Sequence, residues 1–302
     1  MSEIIKISNL CKSFGTLKAV DDLSFSVRKG ELFAFLGVNG AGKSTTISII
    51  CGTLEKDSGT VLVNDENVQD ESEKFKRSLG VVFQNSVLDK SLTVYDNLQS
   101  RASLYGITGE KFSNRLSHLS KLLDFEDILN RQVGKLSGGQ RRKIDIARAL
   151  IHKPQILILD EPTTGLDPKT RITIWEVIDN LRKTEDITVF LTTHYMEESA
   201  DADYIVIIDS GKIVAQGTPL ELKNKYTGDF VYLYGVSEEQ AIGLNIPFEK
   251  VKDGFKFAVE NTKEAKKLIA SNPELFVDYE VTKGKMDSVF LNVTGKSLEE
   301  GK

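Results

Sequence analysis

The sequence predicts an α/β fold: a layered domain on a largely parallel sheet, with a helical segment inserted and a smaller α/β extension behind it. Three observations predict it. The continuously apolar stretch ELFAFL (31–36) runs into a glycine-rich loop and then into the helical pattern KSTTISIICGTL. Further strand-like runs, VVF (81–83), ILIL (156–159), ITVFLTT (187–193) and YIVIID (204–209), are mostly separated by helical stretches. Between Leu92 and His152 the pattern is helical alone. Strands alternating with helices build parallel sheets, and an uninterrupted apolar run suits a strand covered on both faces. The helical stretch then reads as a subdomain inserted into the sheet's connectivity, and Pro154 marks where its last helix has stopped.

At the N-terminal end, IIKISNL and FSV read as short strands before ELFAFL, which follows the turn at RKG. Beyond GKIVAQGTPLELKNKY the character changes. FVYLYG, FKFAVE and LFVDYEV are strand-like and NTKEAKKLIAS and MDSVFLNV helical, so a compact α/β appendix is expected from about residue 226 to 302.

A chain of 302 residues can bury one large core and a small one. A net charge of −5 and a pI near 5.5 give no support to a general affinity for nucleic acid, and no nucleic-acid partner is expected. Cys11 and Cys51 lie far apart without metal-like spacing, which reads as reduced thiols in a cytosolic protein. The N-terminus lacks the apolar core of a secretory signal, and no apolar run approaches the roughly 18 residues of a membrane span. Any membrane step is therefore expected from another chain.

The loop GVNGAGKST (37–45) fits G-x-x-x-x-G-K-[ST] between a strand and a helix, the context that makes the pattern a phosphate-binding loop. Its glycines let successive N–H groups face phosphates; Lys43 is expected to reach the β- and γ-phosphates and Ser44 to ligate Mg²⁺. ILILDEP places Asp160 and Glu161 at the carboxyl end of a buried strand, where open α/β sheets bind ligands. Asp160 is expected to hold Mg²⁺ and Glu161 to polarise an attacking water. Alone, such an acidic pair is more often a cap than a catalyst; a phosphate loop in the same chain reverses that. Gln84 and His194 each end a strand, within reach of the metal, the attacking water or a γ-phosphate oxygen. Phe14 offers a face on which an adenine can stack, although a lone phenylalanine is usually core.

A second phosphate-gripping turn, LSGGQRRK (136–143), opens a helix whose apolar face comprises Ile144, Ala147 and Ile151. Ser137, Gly138 and Gly139 stand at the positive end of that helix, as an anion site or as an ordinary Ser-Gly cap. The residues by themselves leave both open.

The ordered set GVNGAGKST, Gln84, LSGGQ, ILILDEP, GLDP (165–168) and His194, spanning roughly residues 3–222, resembles the nucleotide-binding subunit of ABC transporters. The resemblance implies a P-loop NTPase of ABC type, with a mixed, largely parallel sheet core, an antiparallel β subdomain and a helical subdomain at about 86–153. Residues 1–225 would then form the ATPase domain and 226–302 an accessory domain. It also implies two such subunits, as a homodimer or with a closely related ATPase subunit, dimerising head to tail, each ATP lying between one subunit's phosphate loop and the other's LSGGQ turn. Carried over, Lys43, Ser44 and Thr45 bind phosphate and metal, with Gly37, Asn39, Gly40, Ala41 and Gly42 forming the loop. On this resemblance Glu161 would be the general base, Asp160 the metal-supporting carboxylate, Gln84 the sensor of metal and γ-phosphate, and His194 the switch histidine. Ser137, Gly138, Gly139 and Gln140 face the opposite nucleotide, and Asp167 crosses the interface. Val38 in place of a frequent proline, and Phe14 in place of a common tyrosine, remove no group the chemistry requires.

The ending GKMDSVFLNVTGKSLEE is similar to ATPase subunits of the drug, antibiotic and polysaccharide exporters often called ABC-2. The resemblance therefore implies an ATPase, with ATP and Mg²⁺, peripheral on the cytoplasmic face of the membrane beneath a separate permease. The alternatives are an importer ATPase and a soluble ABC ATPase acting on ribosomes or DNA. One ABC domain and no sustained heptads speak against the soluble reading.

Overall fold

In the computed structural model, which describes residues 2–70 and 72–296, strands β1 (Glu3–Phe14) and β2 (Leu17–Arg28) pair antiparallel across the turn at Gly15 and Thr16. The expected short strands IIKISNL and FSV are thus parts of two long ones, whose ladder is broken by several register shifts that add twist. β3 (Leu32–Leu36) is buried at every position, as its apolar run predicts. The glycine loop and α1 (Lys43–Ile50) follow it. β4 (Ser58–Val63) and β5 (Glu66–Asn67) complete an antiparallel sheet in the order β2-β1-β4-β5.

α2 (Glu73–Ser78), capped by the Ser72 hydroxyl accepting from Phe75 N, leads into β6 (Leu79–Val82). The helical region then consists of α3 (Val94–Ser103), α4 (Gly109–Leu122) and α5 (Gly138–Leu150). Reciprocal capping boxes, Thr93 with Asp96 and Ser137 with Gln140, start α3 and α5 where the sequence places polar caps before apolar stripes. Ile144, Ala147 and Ile151 are fully buried.

The chain returns as β7 (Ile156–Asp160), α6 (Pro168–Glu185), β8 (Thr188–Thr193), β9 (Tyr204–Asp209) and β10 (Lys212–Gly217). The second sheet has the order β10-β9-β3-β8-β7-β6, and its pairs from β9 to β6 are parallel. Parallel order sends the loops after β3, β6, β7 and β8 to one edge of the sheet, where ligands of open α/β sheets bind. Phe25, Phe33, Phe35 and Phe190 pack behind that edge, with neighbouring ring centroids 5.1 to 5.3 Å apart. Burying each such ring contributes about 1.5–3 kcal/mol, so β3 and β8 are held as stiff supports for the loops they carry.

Packing separates this unit, which ends at Ile213 and excludes Tyr195–Asp201, from a second one that takes up those seven residues and Val214 onward. The second unit begins with the end of β10 and α7 (Pro219–Tyr226), followed by β11 (Asp229–Tyr234), α8 (Glu238–Gly243), β12 (Phe248–Val251), β13 (Gly254–Val259), α9 (Thr262–Ser271), β14 (Tyr279–Lys283) and α10 (Met286–Thr294). The sequence draws the boundary after residue 225, whereas packing assigns α7 to the second unit because α7 lies against α10. The sheet order β12-β13-β11-β14 with a β-α-β-β-α-β chain order is the ferredoxin-like arrangement.

Val231, Leu233, Phe255, Phe257 and Phe276 form the core of that sheet with Ala241 and Ala265 from α8 and α9. LFVDYEV, expected to be one strand, is strand only from Tyr279, because Phe276 turns into the core before pairing begins. α8 and β12 had no counterpart in the expectation. The last residues of the exporter-like ending, 297–300, lie outside the described residues.

Candidate functional site

β3 delivers the glycine loop to the edge of the sheet. Gly42 caps α1 at φ 108, and a Cβ there would stand 2.3 Å from the Ala19 carbonyl oxygen, so only glycine lets the loop close this tightly. α1 has no acidic residue in its first turn, which leaves its positive end free for an anion. Gly37, Ala41, Gly42 and Lys43 are buried; Asn39, Gly40 and Ser44 are exposed, and Thr45 is half-buried. Lys43 Nζ donates to the carbonyls of Gly37 (2.8 Å) and Val38 (3.2 Å) and lies 3.5 Å from Glu161 Oε1. Burial lowers its pKa, against the pull of the Glu161 charge.

β7 ends at Asp160, in register with Thr192 of β8. Thr192 Oγ1 donates to Asp160 Oδ1 at 2.6 Å. Burial raises the pKa of Asp160; that hydrogen bond acts in the opposite direction, and the neighbouring Glu161 charge adds to the rise. Glu161 takes the left-handed conformation, φ 47, with its N–H donating to the Thr192 carbonyl at 3.0 Å. For a non-glycine residue this conformation persists only where the surroundings over-determine it. The turn aims the carboxylate into the site. Gln84 Nε2 donates to Glu161 Oε2 at 3.0 Å, Thr164 Oγ1 donates to the same oxygen at 3.2 Å, and His194 Nδ1 lies 3.3 Å from it. Lys43, Gln84, Glu161 and His194, drawn from four separate loops, therefore meet at one carboxylate.

The residues of the second turn group with Asp167. Ser137 Oγ accepts from Gln140 N (3.2 Å), and Gln140 Oε1 accepts from Ser137 N (3.1 Å). Asp167 caps α6 by accepting from Thr170 N at 3.0 Å and Thr170 Oγ1 at 2.5 Å. A Cβ on Gly139 would stand 2.4 Å from Thr170 Cγ2, so glycine there permits the LSGGQ turn to approach the start of α6. Ser137 and Gly138 are exposed. Phe14, at the end of β1, is 50% exposed, with Lys12 Nζ 5.7 Å from its ring centroid.

Three residues at the site were not singled out from the sequence: Thr164, Thr192 and Arg142. The Arg142 guanidinium donates to the carbonyls of Phe83, Glu161 and Pro162. A signal for it existed, because Arg142 shares the i, i+4, i+7 stripe of the buried Ile146 and Ala149 and so puts a charge in a core register.

The ABC transporter family model matches residues 20–164. Over 98% of this chain and the whole of the relative, the sequence is 32% identical to the linearmycin resistance ATP-binding protein LnrL of Bacillus subtilis (strain 168). The chain belongs to the ABC transporter ATP-binding family. It is 35% identical, over 98% of itself and 95% of the relative, to the Nod factor export ATP-binding protein I of Ralstonia nicotianae. Among solved structures it resembles the dimeric post-hydrolysis state of the ATP-binding cassette MJ0796 bound to ADP and phosphate. There the TM-score is 0.64 and the identity 27%, over 71% of this chain and 98% of that one.

This ABC ATPase subunit binds and hydrolyses ATP with Mg²⁺ and energises a membrane permease. Its residues fit the metal: Ser44, Gln84 and Asp160 offer hard oxygen donors at one edge of the sheet. Among the described residues no group of three or more His, Cys, Asp or Glu side chains forms a metal cage by itself. Mg²⁺ is held by few protein oxygens together with substrate phosphates rather than in an all-protein cage. ABC ATPase subunits work with membrane components and dimerise. No described helix of this one is long and apolar enough to cross a membrane.

Proposed function

We propose that this chain is the ATPase subunit of an exporter, peripheral on the cytoplasmic face of the cell membrane beneath a separately encoded permease. Its cargo class is a drug, antibiotic, lipid or polysaccharide-like molecule. The observation that carries this reading is the length of the likeness: relatives whose names specify linearmycin resistance and Nod factor export align over 98% of the chain, its C-terminal unit included. Residues 1–225 act as the ATPase domain, with the helical subdomain at about 86–153 passing movement to the permease. Residues 226–302 are an accessory domain.

Within the site, the loop N–H groups and Lys43 hold the β- and γ-phosphates, and Ser44, Asp160 and Gln84 hold Mg²⁺, which supplies charge neutralisation on the phosphates. Glu161 takes a proton from the attacking water as general base, and His194 and Gln84 orient that water and the γ-phosphate. Phe14 stacks on the base. Two copies, or this chain and a closely related ATPase subunit, close head to tail, so Ser137, Gly138, Gly139 and Gln140 of one grip the nucleotide of the other while Asp167 crosses between them. ATP drives closure only through its tighter binding to the closed pair.

The functional reading is tested by affinity purification of the tagged protein from gently solubilised native membranes, followed by mass spectrometry. A polytopic membrane protein is expected to accompany it; recovery with ribosomes or DNA and no membrane partner overturns the reading. The head-to-tail arrangement is tested by Ser137→Arg. A long cation at this exposed cap is expected to prevent the ATP-dependent dimer in light scattering while each subunit binds nucleotide as before, and an undiminished dimer refutes the arrangement.

A further inference from the structure

We propose that Arg142 is a positioning residue that ties the helix carrying the LSGGQ turn to the two loops presenting Glu161 and Gln84. This rests on the reading of Glu161 as general base. Arg142 stands in the second turn of α5, two residues beyond the Gln140 of the capping box, and is 6% exposed. Its planar guanidinium divides three bonds between two loops. Nη2 donates to the Glu161 carbonyl at 2.9 Å and Nε to the Pro162 carbonyl, while Nη1 donates to the Phe83 carbonyl at 2.7 Å, one residue before Gln84.

The same helix holds the Gln84 loop a second time, three residues on. Asp145 Oδ1 accepts from Ser86 Oγ at 3.0 Å, and Asp145 is itself buried. A guanidinium is suited to such a bracket because its donors point in fixed directions in one plane, which an ammonium cannot match.

The bracket explains how Glu161 keeps its left-handed backbone. The N–H of that residue is held by the Thr192 carbonyl, and its carbonyl by Arg142, so both sides of the strained peptide are fixed by neighbours. The Arg142 bonds all go to main-chain carbonyls, so it acts through the angle at which Glu161 and Gln84 enter the site. A displacement of the LSGGQ turn along α5 reaches Glu161 of the same subunit through this side chain, and Gln84 through it together with Asp145.

The test compares the full-length protein with Arg142→Met, Arg142→Lys and Glu161→Gln, and combines Arg142→Met with Glu161→Gln. Steady-state kcat and KM are measured, with Mg-ATP affinity by calorimetry. Arg142→Met is expected to lower kcat about tenfold or more, a share of the roughly 10²–10⁴ that a well-placed general base supplies. KM and Mg-ATP affinity stay within about threefold, because the phosphate loop is untouched. In the Glu161→Gln background Arg142→Met adds less than its full loss, since the part that acts through Glu161 is already gone.

Arg142→Lys, which keeps the charge without the fork, is expected to fall between Met and parent, and it carries the test if the Met variant does not fold. Parental kcat in either variant, a loss of affinity matching the loss of kcat, or losses that multiply in full in the double variant overturn the proposal. Parental turnover in Glu161→Gln alone removes the general base itself. A normal Glu161→Gln defect beside parental Arg142 variants removes only the positioning role.

Discussion

Glu161→Gln is expected to slow ATP hydrolysis by about 10²–10⁴-fold while leaving Mg-ATP binding nearly intact. The amide preserves the side chain's shape and one oxygen, so Gln84 Nε2 and Thr164 Oγ1, which donate to Oε2 at 3.0 and 3.2 Å, keep an acceptor. What is lost is the capacity to take a proton. On the proposed reading, in which closure follows ATP binding and opening follows hydrolysis, the variant is expected to accumulate as an ATP-bound dimer. Single-turnover assays and light scattering in the presence of Mg-ATP check both halves. A monomeric variant with parental turnover removes Glu161 from the role of base.

Lys43→Ala is expected to reduce hydrolysis by about 10²–10³-fold, the cost of deleting one preorganised donor to a transferring phosphoryl group, and to weaken nucleotide binding as well. The reasoning starts from where the ammonium sits. It is buried, spans the loop by donating to the Gly37 and Val38 carbonyls, and lies 3.5 Å from Glu161. Burial already lowers its pKa, so the charged form is held at a cost that a phosphate at the end of the loop would relieve. Malachite-green phosphate release and nucleotide calorimetry measure the two losses. The contrast with Glu161→Gln is diagnostic: the lysine variant loses binding and turnover together, the glutamine variant turnover alone.

Much of the fold was legible because its signals are local. A short apolar run such as LFAFL, followed at once by a glycine loop, suits a strand buried on both faces, and β3 is that strand. Ser137, Gly138 and Gly139 ahead of an apolar stripe mark a helix start, and α5 starts there, with Ser137 and Gln140 forming the capping box. In the tail, α9 and α10 follow their patterns closely, whereas β12 escaped notice. It is a short edge strand with two exposed residues, and it carries almost no apolar alternation to read. LFVDYEV misled for the opposite reason: its apolar residues are needed by the core, not by a ladder.

The candidate site divides along the same line. The sequence by itself determined which chemical groups the chain carries and the local frames that hold them. These are a glycine loop opening a helix, an acidic pair closing a buried strand, a second small-residue turn opening a helix, and a tail of alternating elements. Only the tertiary structure decided that Gln84 and Glu161, 77 residues apart, share a hydrogen bond, and that Glu161 bends into the left-handed region to make it. It alone decided that Thr192 registers against Asp160 and that Arg142, on the buried face of α5, bonds the carbonyls of both Phe83 and Glu161. The physical reason is range. Caps, turns and periodicities are set by hydrogen bonds and contacts within a few residues. Convergence on one carboxylate depends instead on the order in which strands enter the sheet and the register in which they pair, and no short stretch of the chain contains that information.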